Sequence, residues 1–325
     1  MARTPAHAPL LRSEAERGLD RPAPRPEGCR VPRAATAARI RLGSRGSPLA
    51  LAQSRLAAEA LAAAGFATSL VTVETAGDRD RARPLVALGG KAVWTKELDQ
   101  ALLDGRIDAA VHSLKDVETR LPDGLVLAAV LSRADPRDRL VGASSLAALS
   151  PGARVGTSSP RRAAQLAFRR PDLAITLLRG NVATRLARVE DGTVDATFLA
   201  AAGLDRLGIA AGTPLDPADW LPAAAQGIVG VTARADAADV LAALAAIDHP
   251  PTHRAARAER AVLAGIGGSC RTAVAVHAHA AGTGGLRLEA ELYSPDGTER
   301  VRAGRACDGR DPAEAAPVEP PDRHR

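Results

Sequence analysis

The spacing of apolar positions divides the chain into short strand patterns alternating with longer helical ones. Arg39-Ile40-Arg41-Leu42 alternates as a half-buried strand, and Leu49 to Ala64 has the composition and length of a helix. Ser47 suits the N-cap of that helix and Pro48 its first position, where a missing N–H costs nothing, while Gly65 suits its C-terminal stop. Residues 66 to 76 predict a second strand and about Thr95 to Leu103 a helix. The apolar run Ile107 to Val111 then predicts a buried strand ending at His112, and Leu125 to Leu131 another, after the Pro122-Asp123-Gly124 turn. Charges and a proline break the pattern between Ala134 and Arg139.

After that break the plan repeats. Val155-Gly156-Thr157-Ser158-Ser159-Pro160 again reads as strand, glycine turn, serine cap and proline, opening a helix to about Arg170. A third corner runs from the strand Ile175 to Leu178 through Arg179-Gly180-Asn181 into a helix over Val182 to Glu190. A strand at 195 to 200 and a helix from Ala202 to Leu207 complete this half. A proline-rich return over 213 to 222 precedes Ile228 to Ala233, a strand that can cross back to the first segment, and a helix over Ala237 to Ala246. Beyond His249-Pro250-Pro251 come a helix (Thr252 to Leu263), a glycine-containing loop before Cys270, and two or three strands between Thr272 and Ala306. The two similar corners imply two similar α/β domains facing each other. A length of 325 residues leaves room for two or three domains. Residues 1 to 38, with seven arginines, four acidic residues and no helical period, read as a disordered extension, and the polar tail from Asp308 onward reads likewise. The extension has too many acidic residues for an organelle transit peptide and lacks the apolar core of a secretory signal.

Composition narrows the chemistry. Aromatic residues make up only 2%, which argues against a base-stacking surface or an aromatic ligand cage. The net charge of +6 is dominated by arginine, and its meaning depends on where the arginines fall. They lie at turns and element ends rather than in a stripe, which disfavours nucleic acid. Cys29, Cys270 and Cys307 are far apart, with neither zinc spacing nor a disulfide framework, so a reduced cytoplasmic setting is the expectation. No apolar run has the roughly 18 residues that a membrane span requires. His277 and His279 share a strand face but have no third ligand nearby. The glycines before Cys270 follow no strand, as a dinucleotide fingerprint would require.

The candidate chemistry centres on His112-Ser113-Leu114-Lys115-Asp116, where ionisable groups cluster just past a buried strand, the place where open α/β sheets hold ligands. Taken alone, Lys115 and Asp116 read more readily as a solvated surface pair, so the support for a site has to come from elsewhere in the chain. Glycine turns that open helices after strands form anion-binding corners, since unpaired N–H groups and the helix dipole favour negative charge. Arg45 and Ser47 sit in one such corner, Arg161 and Arg162 in another, and Arg179 and Arg185 in the third, with Arg206 on the following helix. Guanidinium suits carboxylate ligands because it binds them bidentately and keeps its charge. Lys91, after Gly89-Gly90, belongs to a loop that can reach over a cleft.

Taken together, His112-Ser-Leu-Lys-Asp116, Gly156-Thr-Ser-Ser-Pro-Arg-Arg162, Leu178-Arg-Gly-Asn-Val-Ala-Thr-Arg185 and Gly268-Ser-Cys270 resemble the porphobilinogen deaminase (hydroxymethylbilane synthase) family over about residues 39 to 300. The resemblance implies an α/β protein of three domains. The first two resemble type II periplasmic solute-binding proteins, covering 39–133 (completed by 226–247) and 134–225. The third, a small α+β domain over 250–307, carries the cofactor cysteine. It further implies a dipyrromethane cofactor joined by a thioether to Cys270 and held by Lys115, Asp116, Ser158, Arg161, Arg162, Arg179 and Gly180. Porphobilinogen would be bound by Arg45, Ser47, Lys91, Arg179, Arg185 and Arg206. Asp116, with Lys115, would be catalytic, steadying the azafulvenium cation left when ammonia departs and helping to move protons. Four porphobilinogens would be joined head to tail into hydroxymethylbilane by a cytoplasmic monomer without metal, nucleic acid or membrane, and a uroporphyrinogen-III synthase would act downstream. A catalytically impaired relative and a small-anion binding or sensor protein of the same fold are the alternatives.

The chain departs from the family pattern in four places. Pro160 replaces a leucine, at a helix position that accepts proline. Gly90-Lys91-Ala92-Val93-Trp94 stands for Gly-Lys-Gly-Leu-Phe, and Ala225-Gln226-Gly227 for Gly-Gln-Gly. If the first glycine of that triplet needs positive φ, Ala225 is strained by about 1 kcal/mol or more. No long C-terminal helix is evident after Ala306, so the third domain is expected to be shortened.

Overall fold

The computed structural model describes residues 39–75, 94–269, 272–281 and 285–307. The chain opens with β1 (Ile40–Ser44), α1 (Pro48–Ala63) and β2 (Thr68–Thr72). It continues through α2 (Lys96–Leu103), β3 (Ala109–Ser113), a 3₁₀ turn (Leu114–Asp116) and β4 (Leu125–Val130). Then follow β5 (Asp138–Val141), β6 (Arg154–Thr157), α3 (Pro160–Arg169), β7 (Ala174–Leu177), α4 (Val182–Glu190), β8 (Ala196–Ala200), α5 (Ala201–Arg206) and β9 (Thr213–Pro214). The last elements are β10 (Val229–Arg234), α6 (Ala238–Ala245), α7 (Pro250–Gly265), β11 (Val274–Ala281), β12 (Gly285–Tyr293) and β13 (Arg300–Cys307).

The first sheet has the order β2-β1-β3-β10-β4 and the second β7-β6-β8-β5-β9. In each, three strands run parallel, and the fourth strand in the order, β10 or β5, pairs antiparallel with both neighbours. That antiparallel strand is in each case the first after the chain changes sheets: residues 131–137 lead into β5 and residues 222–228 return to β10. This double crossover gives the two sheets the same plan, as the repeated corners in the sequence led one to expect. A third sheet, β11-β12-β13, is a fully antiparallel meander.

Local sequence explains the corners. The Ser47 hydroxyl accepts the Ala50 N–H at 3.3 Å, Ser159 accepts that of Arg162 at 3.4 Å, and Asn181 Oδ1 accepts that of Thr184 at 2.9 Å. Ala57 and Leu61 on α1 pack on Ile40, Leu42, Ala109, Val111, Val229 and Val231 of the first sheet. Burying a leucine of this kind contributes about 1.5–3 kcal/mol. The second core gathers Leu140, Val155, Leu166 and Ala196 around Phe198 and Trp220, whose rings stack at 4.7 Å. Ala255 and Ala258 of α7 cover Val274, Val276, Leu286 and Leu288 of the third sheet.

Two elements differ from the sequence reading. β3 runs on to Ser113 because β10 pairs with it residue for residue, from Ala109 opposite Ala233 to Ser113 opposite Val229. His112 therefore lies inside the strand, buried, with Nε2 3.0 Å from Thr232 Oγ1. β5 was hidden by its charges: Asp138 pairs with Ala200, and its carboxylate is fully buried. Ala225 has φ +59°, the only non-glycine in the left-handed region among the described residues. Nearby Gly227 has φ +86°, and a Cβ there would lie 2.5 Å from the Ala134 carbonyl oxygen, so only glycine fits. A buried ion pair joins this return to α7: Arg133 Nη1 donates to Glu259 Oε1 at 2.6 Å, and Glu259 also accepts the N–H groups of Ala225 and Ala278.

Candidate active site

The 3₁₀ turn at the end of β3 presents Lys115 and Asp116 beside the Ser47 corner. Arg45, Ser47, Gln53, Trp94, Thr95, His112, Ser113 and Asp116 line one small cavity of about 80 Å³, so the Arg45-Ser47 corner and the His112-to-Asp116 cluster share a wall. The Arg45 guanidinium lies over the Trp94 ring, 4.1 Å from its centroid, a contact that holds the cation in place. Gln53 Nε2 donates to Ser113 Oγ at 2.8 Å and anchors the strand end to α1. Burial, reinforced by Arg45 and Arg260, lowers the His112 imidazole to about 4, so the ring is neutral at physiological pH.

The second sheet supplies the facing cations. Arg185 donates from Nε to the Gly180 carbonyl at 2.9 Å and from Nη2 to Ser158 Oγ at 3.3 Å, linking three predicted site residues from two neighbouring corners. Burial lowers Arg185 to about 10, Arg162 and Arg179 act in the same direction, and Asp116 opposes them. Asp116 of the first sheet and Arg185 of the second thus share one electrostatic environment. Gly180 has φ +118°, and a Cβ there would meet Thr184 at 2.7 Å.

Arg161 and Arg162 are not turned outward from their corner as the motif suggested. Both are buried on Asp138: Arg161 Nη2 donates at 2.8 Å and Arg162 Nη2 at 2.6 Å, while Nη1 of each goes to a main-chain carbonyl, Leu221 and Phe198 respectively. Burial by itself would raise the Asp138 carboxyl, but Arg161, Arg162 and Lys115 hold it well below the usual carboxylate range. One carboxylate facing three cations leaves an excess of positive charge. Burial brings Lys115 down to about 8; Asp116 and Asp138 oppose the shift, and Arg162 and Arg161 add to it. Its ammonium donates to Gln226 Oε1 at 3.0 Å.

Arg206 is spent in part on the return crossing, donating from Nη2 to the Gly227 carbonyl at 2.7 Å. Lys91 and Cys270 lie outside the described residues. The loop leading to Cys270 adjoins the site: Gly267, Gly268 and Ser269 share a cavity of about 490 Å³ with Val117 to Pro122, Thr95 and Asp99. Arg260 of α7 donates to the carbonyls of Val117, Glu118 and Thr119, fastening the segment after Asp116 to the helix that precedes that loop. Burial raises the Asp99 carboxyl in this cavity to about 6, against a hydrogen bond with Thr95.

Sequence reasoning missed Gln53, Asp138, Gln226 and Arg260. An aspartate between two arginines in Arg137-Asp138-Arg139 carries no motif, and only its buried environment gives it meaning. Gln226 had a weak signal in its place between Ala225 and Gly227.

Fold and site define a two-sheet cleft protein in which fixed cations outnumber carboxylates, a class suited to ligands bearing several carboxylates. Family models describe the particular members. "Porphobilinogen deaminase, dipyromethane cofactor binding domain" matches residues 40–242, and "Porphobilinogen deaminase, C-terminal domain" matches 253–318. The porphobilinogen deaminase of Sphingopyxis alaskensis is 55% identical over 276 residues, 81% of this chain and 86% of that protein. That of Paracoccus denitrificans is 48% identical over 83% of this chain and 90% of its own. A chloroplastic relative from Oryza sativa is 42% identical over 80% and 75%. Among solved structures, a periplasmic substrate-binding protein of an ABC transporter from Coxiella burnetii aligns with TM-score 0.37 and 16% identity, over 63% of this chain and 91% of that one. The chain belongs to the porphobilinogen deaminase family.

Proposed function

We propose that this chain is a hydroxymethylbilane synthase, a transferase of tetrapyrrole synthesis that condenses four porphobilinogen molecules head to tail and releases ammonia. The observation that carries this reading is one carboxylate, Asp116, sharing its surroundings with Lys115, Arg162 and Arg185 from two facing sheets. An acetate and a propionate on every pyrrole need such fixed cations, and the electron-poor carbon left by departing ammonia needs a carboxylate nearby.

The donor set fits a dipyrromethane. Lys115, Arg179 and Arg185 would hold its carboxylates with Ser158 and Gly180, while Arg161 and Arg162 would act from behind through the positive field around Asp138. Cys270 would carry the thioether. When bound, the group supplies a pyrrole carbon nucleophile to which the first substrate is joined.

This chain's own residues do the rest. Arg45, with Ser47, Arg206 and Lys91, would seat the incoming substrate carboxylates, and the Trp94 ring fixes the direction of the Arg45 fork. Asp116 would oppose the positive charge that develops as the aminomethyl C–N bond breaks. It would then receive the proton lost from the ring carbon once the new C–C bond has formed. Lys115, ionised below about pH 8, balances Asp116 and pairs with ligand carboxylate. The three sheets are read as three domains, 39–133 with 226–247, 134–225, and 250–307. The protein is read as a cytoplasmic monomer that passes hydroxymethylbilane to a uroporphyrinogen-III synthase. No helix among the described residues is long and apolar enough to cross a membrane.

The test is intact-protein mass spectrometry with peptide mapping. A dipyrromethane on the Cys270 peptide, lost in Cys270→Ser, is expected; an unmodified chain after incubation with porphobilinogen would favour an anion-binding role. Asp116→Ala should lower kcat by at least about a hundredfold while leaving the fold intact, and undiminished turnover would remove Asp116 from the chemistry.

A further inference from the structure

Gln226 is fully buried in the return crossing, with its backbone fixed by left-handed residues on both sides, Ala225 and Gly227. Its carbonyl accepts Arg133 Nε at 2.9 Å. Its side-chain NH₂ donates to the Pro136 carbonyl at 2.7 Å and to Asp138 Oδ1 at 2.8 Å. Both of those partners only accept, so the orientation of the amide is determined, and Oε1 must face the Lys115 ammonium 3.0 Å away. One carboxamide therefore touches the catalytic turn after β3, the outgoing crossing at Pro136 and the first strand of the second sheet.

We infer that Gln226 is a positioning residue that holds the Lys115 ammonium in the cleft and couples its place and charge to the buried Asp138 cluster across the two crossings. The inference rests on the reading that Lys115 acts in this cleft. A carboxamide is suited to the place because it accepts from a cation on one side and donates to an anion on the other without changing the charge balance. The charged groups facing Lys115 are Asp116 on its own turn, Arg161 and Arg162 on α3, and Asp138 on β5. Asp116 and Asp138 favour the protonated ammonium through their charge, and Oε1, as a direct hydrogen-bond acceptor at 3.0 Å, aims it.

The sequence makes a direct test practical. Lys115 is one of three lysines in the chain, with Lys91 and Lys96, so ¹³C-lysine NMR of the purified protein, its dipyrromethane loading recorded by intact mass, resolves its titration. Gln226→Met removes the acceptor at nearly constant length and should move the Lys115 midpoint about one pH unit below that of the unsubstituted protein in the same loading state. Gln226→Glu adds a charge at the same place and should move it up. The alkaline limb of kcat/KM should follow in the same two directions. Midpoints unchanged in both variants, or shifted the same way, would overturn the inference. Should the variants fold poorly, the unsubstituted protein decides: a Lys115 ammonium held by Oε1 exchanges its Nζ protons slowly, and fast exchange would overturn the claim. Opposite shifts without any dipyrromethane loading would leave the positioning role standing and remove the proposed activity. Normal loading with an indifferent Lys115 would do the reverse.

Discussion

Asp138→Asn probes the arrangement at its most concentrated point. Five donors from four side chains converge on this carboxylate: Arg161 Nη2 at 2.8 Å, Arg162 Nη2 at 2.6 Å and Nε at 3.3 Å, Trp220 Nε1 at 2.9 Å and Gln226 Nε2 at 2.8 Å. Breaking a buried ion pair by removing one partner costs about 3–5 kcal/mol, because the other charge is left uncompensated. Here two guanidiniums share the loss, but asparagine keeps one acceptor and losses within a network are not additive, so a net of about 4 kcal/mol is expected. Against a typical total of about 5–15 kcal/mol this is severe. Urea unfolding at neutral pH, followed by the fluorescence of Trp220 stacked on Phe198, should show a midpoint lowered by more than about 1 M. The pH dependence adds a second check. The folded carboxyl sits well below its unfolded value, so its contribution is fully present above the unfolded pKa of about 3.9 and is lost as pH falls through the folded value. The gap between wild type and Asp138→Asn should thus be constant from about pH 7 to 5 and narrow only below about pH 4. A midpoint shift under about 0.3 M, or a gap that closes between pH 7 and 5, would refute the assignment of Asp138 as the ionised hub.

Two further substitutions test the supports of the site. Ala225→Gly relieves about 1–2 kcal/mol of left-handed strain, but it gives up a buried methyl worth about 0.8 kcal/mol and frees the unfolded chain by about 0.4–1 kcal/mol. The net change in urea unfolding should lie within about 1 kcal/mol of zero; a gain above about 2 kcal/mol would show that the strain is larger than the dihedral alone implies. Arg260→Ala removes three hydrogen bonds that hold Val117 to Thr119 against α7. It should lower kcat by roughly tenfold, through a looser Asp116, with KM little changed, and unaltered turnover would make that clamp purely structural.

The parts of the site legible in the sequence are those fixed by backbone chemistry. The corners at Ser47, Ser159 and Asn181 announce themselves because a cap residue, a glycine turn and an apolar strand must follow one another in order. Gly180 and Arg185 come together because one such corner holds both, and Ser158 meets Arg185 from the neighbouring corner that opens α3. Arg161 and Arg162 show the limit of this reading. Their place in the motif gives the corner correctly, but the direction of a guanidinium depends on which anion is buried nearby, and that anion comes from a strand the hydrophobic pattern did not reveal. β5 escapes a period-two search because it is four residues long and opens with Asp138-Arg139. Its Asp138 is buried by tertiary contacts with α3, β8 and Trp220, none of them local in sequence.

The hidden aspartate also explains how the cleft can hold so many cations at all. Arg161, Arg162 and Lys115 brought together without an anion would each be driven toward neutrality or out of the fold. Asp138 stabilises them collectively but neutralises only one charge, and Gln226 spreads that stabilisation to Lys115 without adding another negative group. The surplus is what a ligand with several carboxylates meets. Had the partner of Lys115 been a second buried carboxylate, the cluster would be more stable with the cleft empty and less attractive to such a ligand. A neutral carboxamide at the crossing aims the lysine, which Asp116 and Asp138 help to keep protonated, and leaves its charge available.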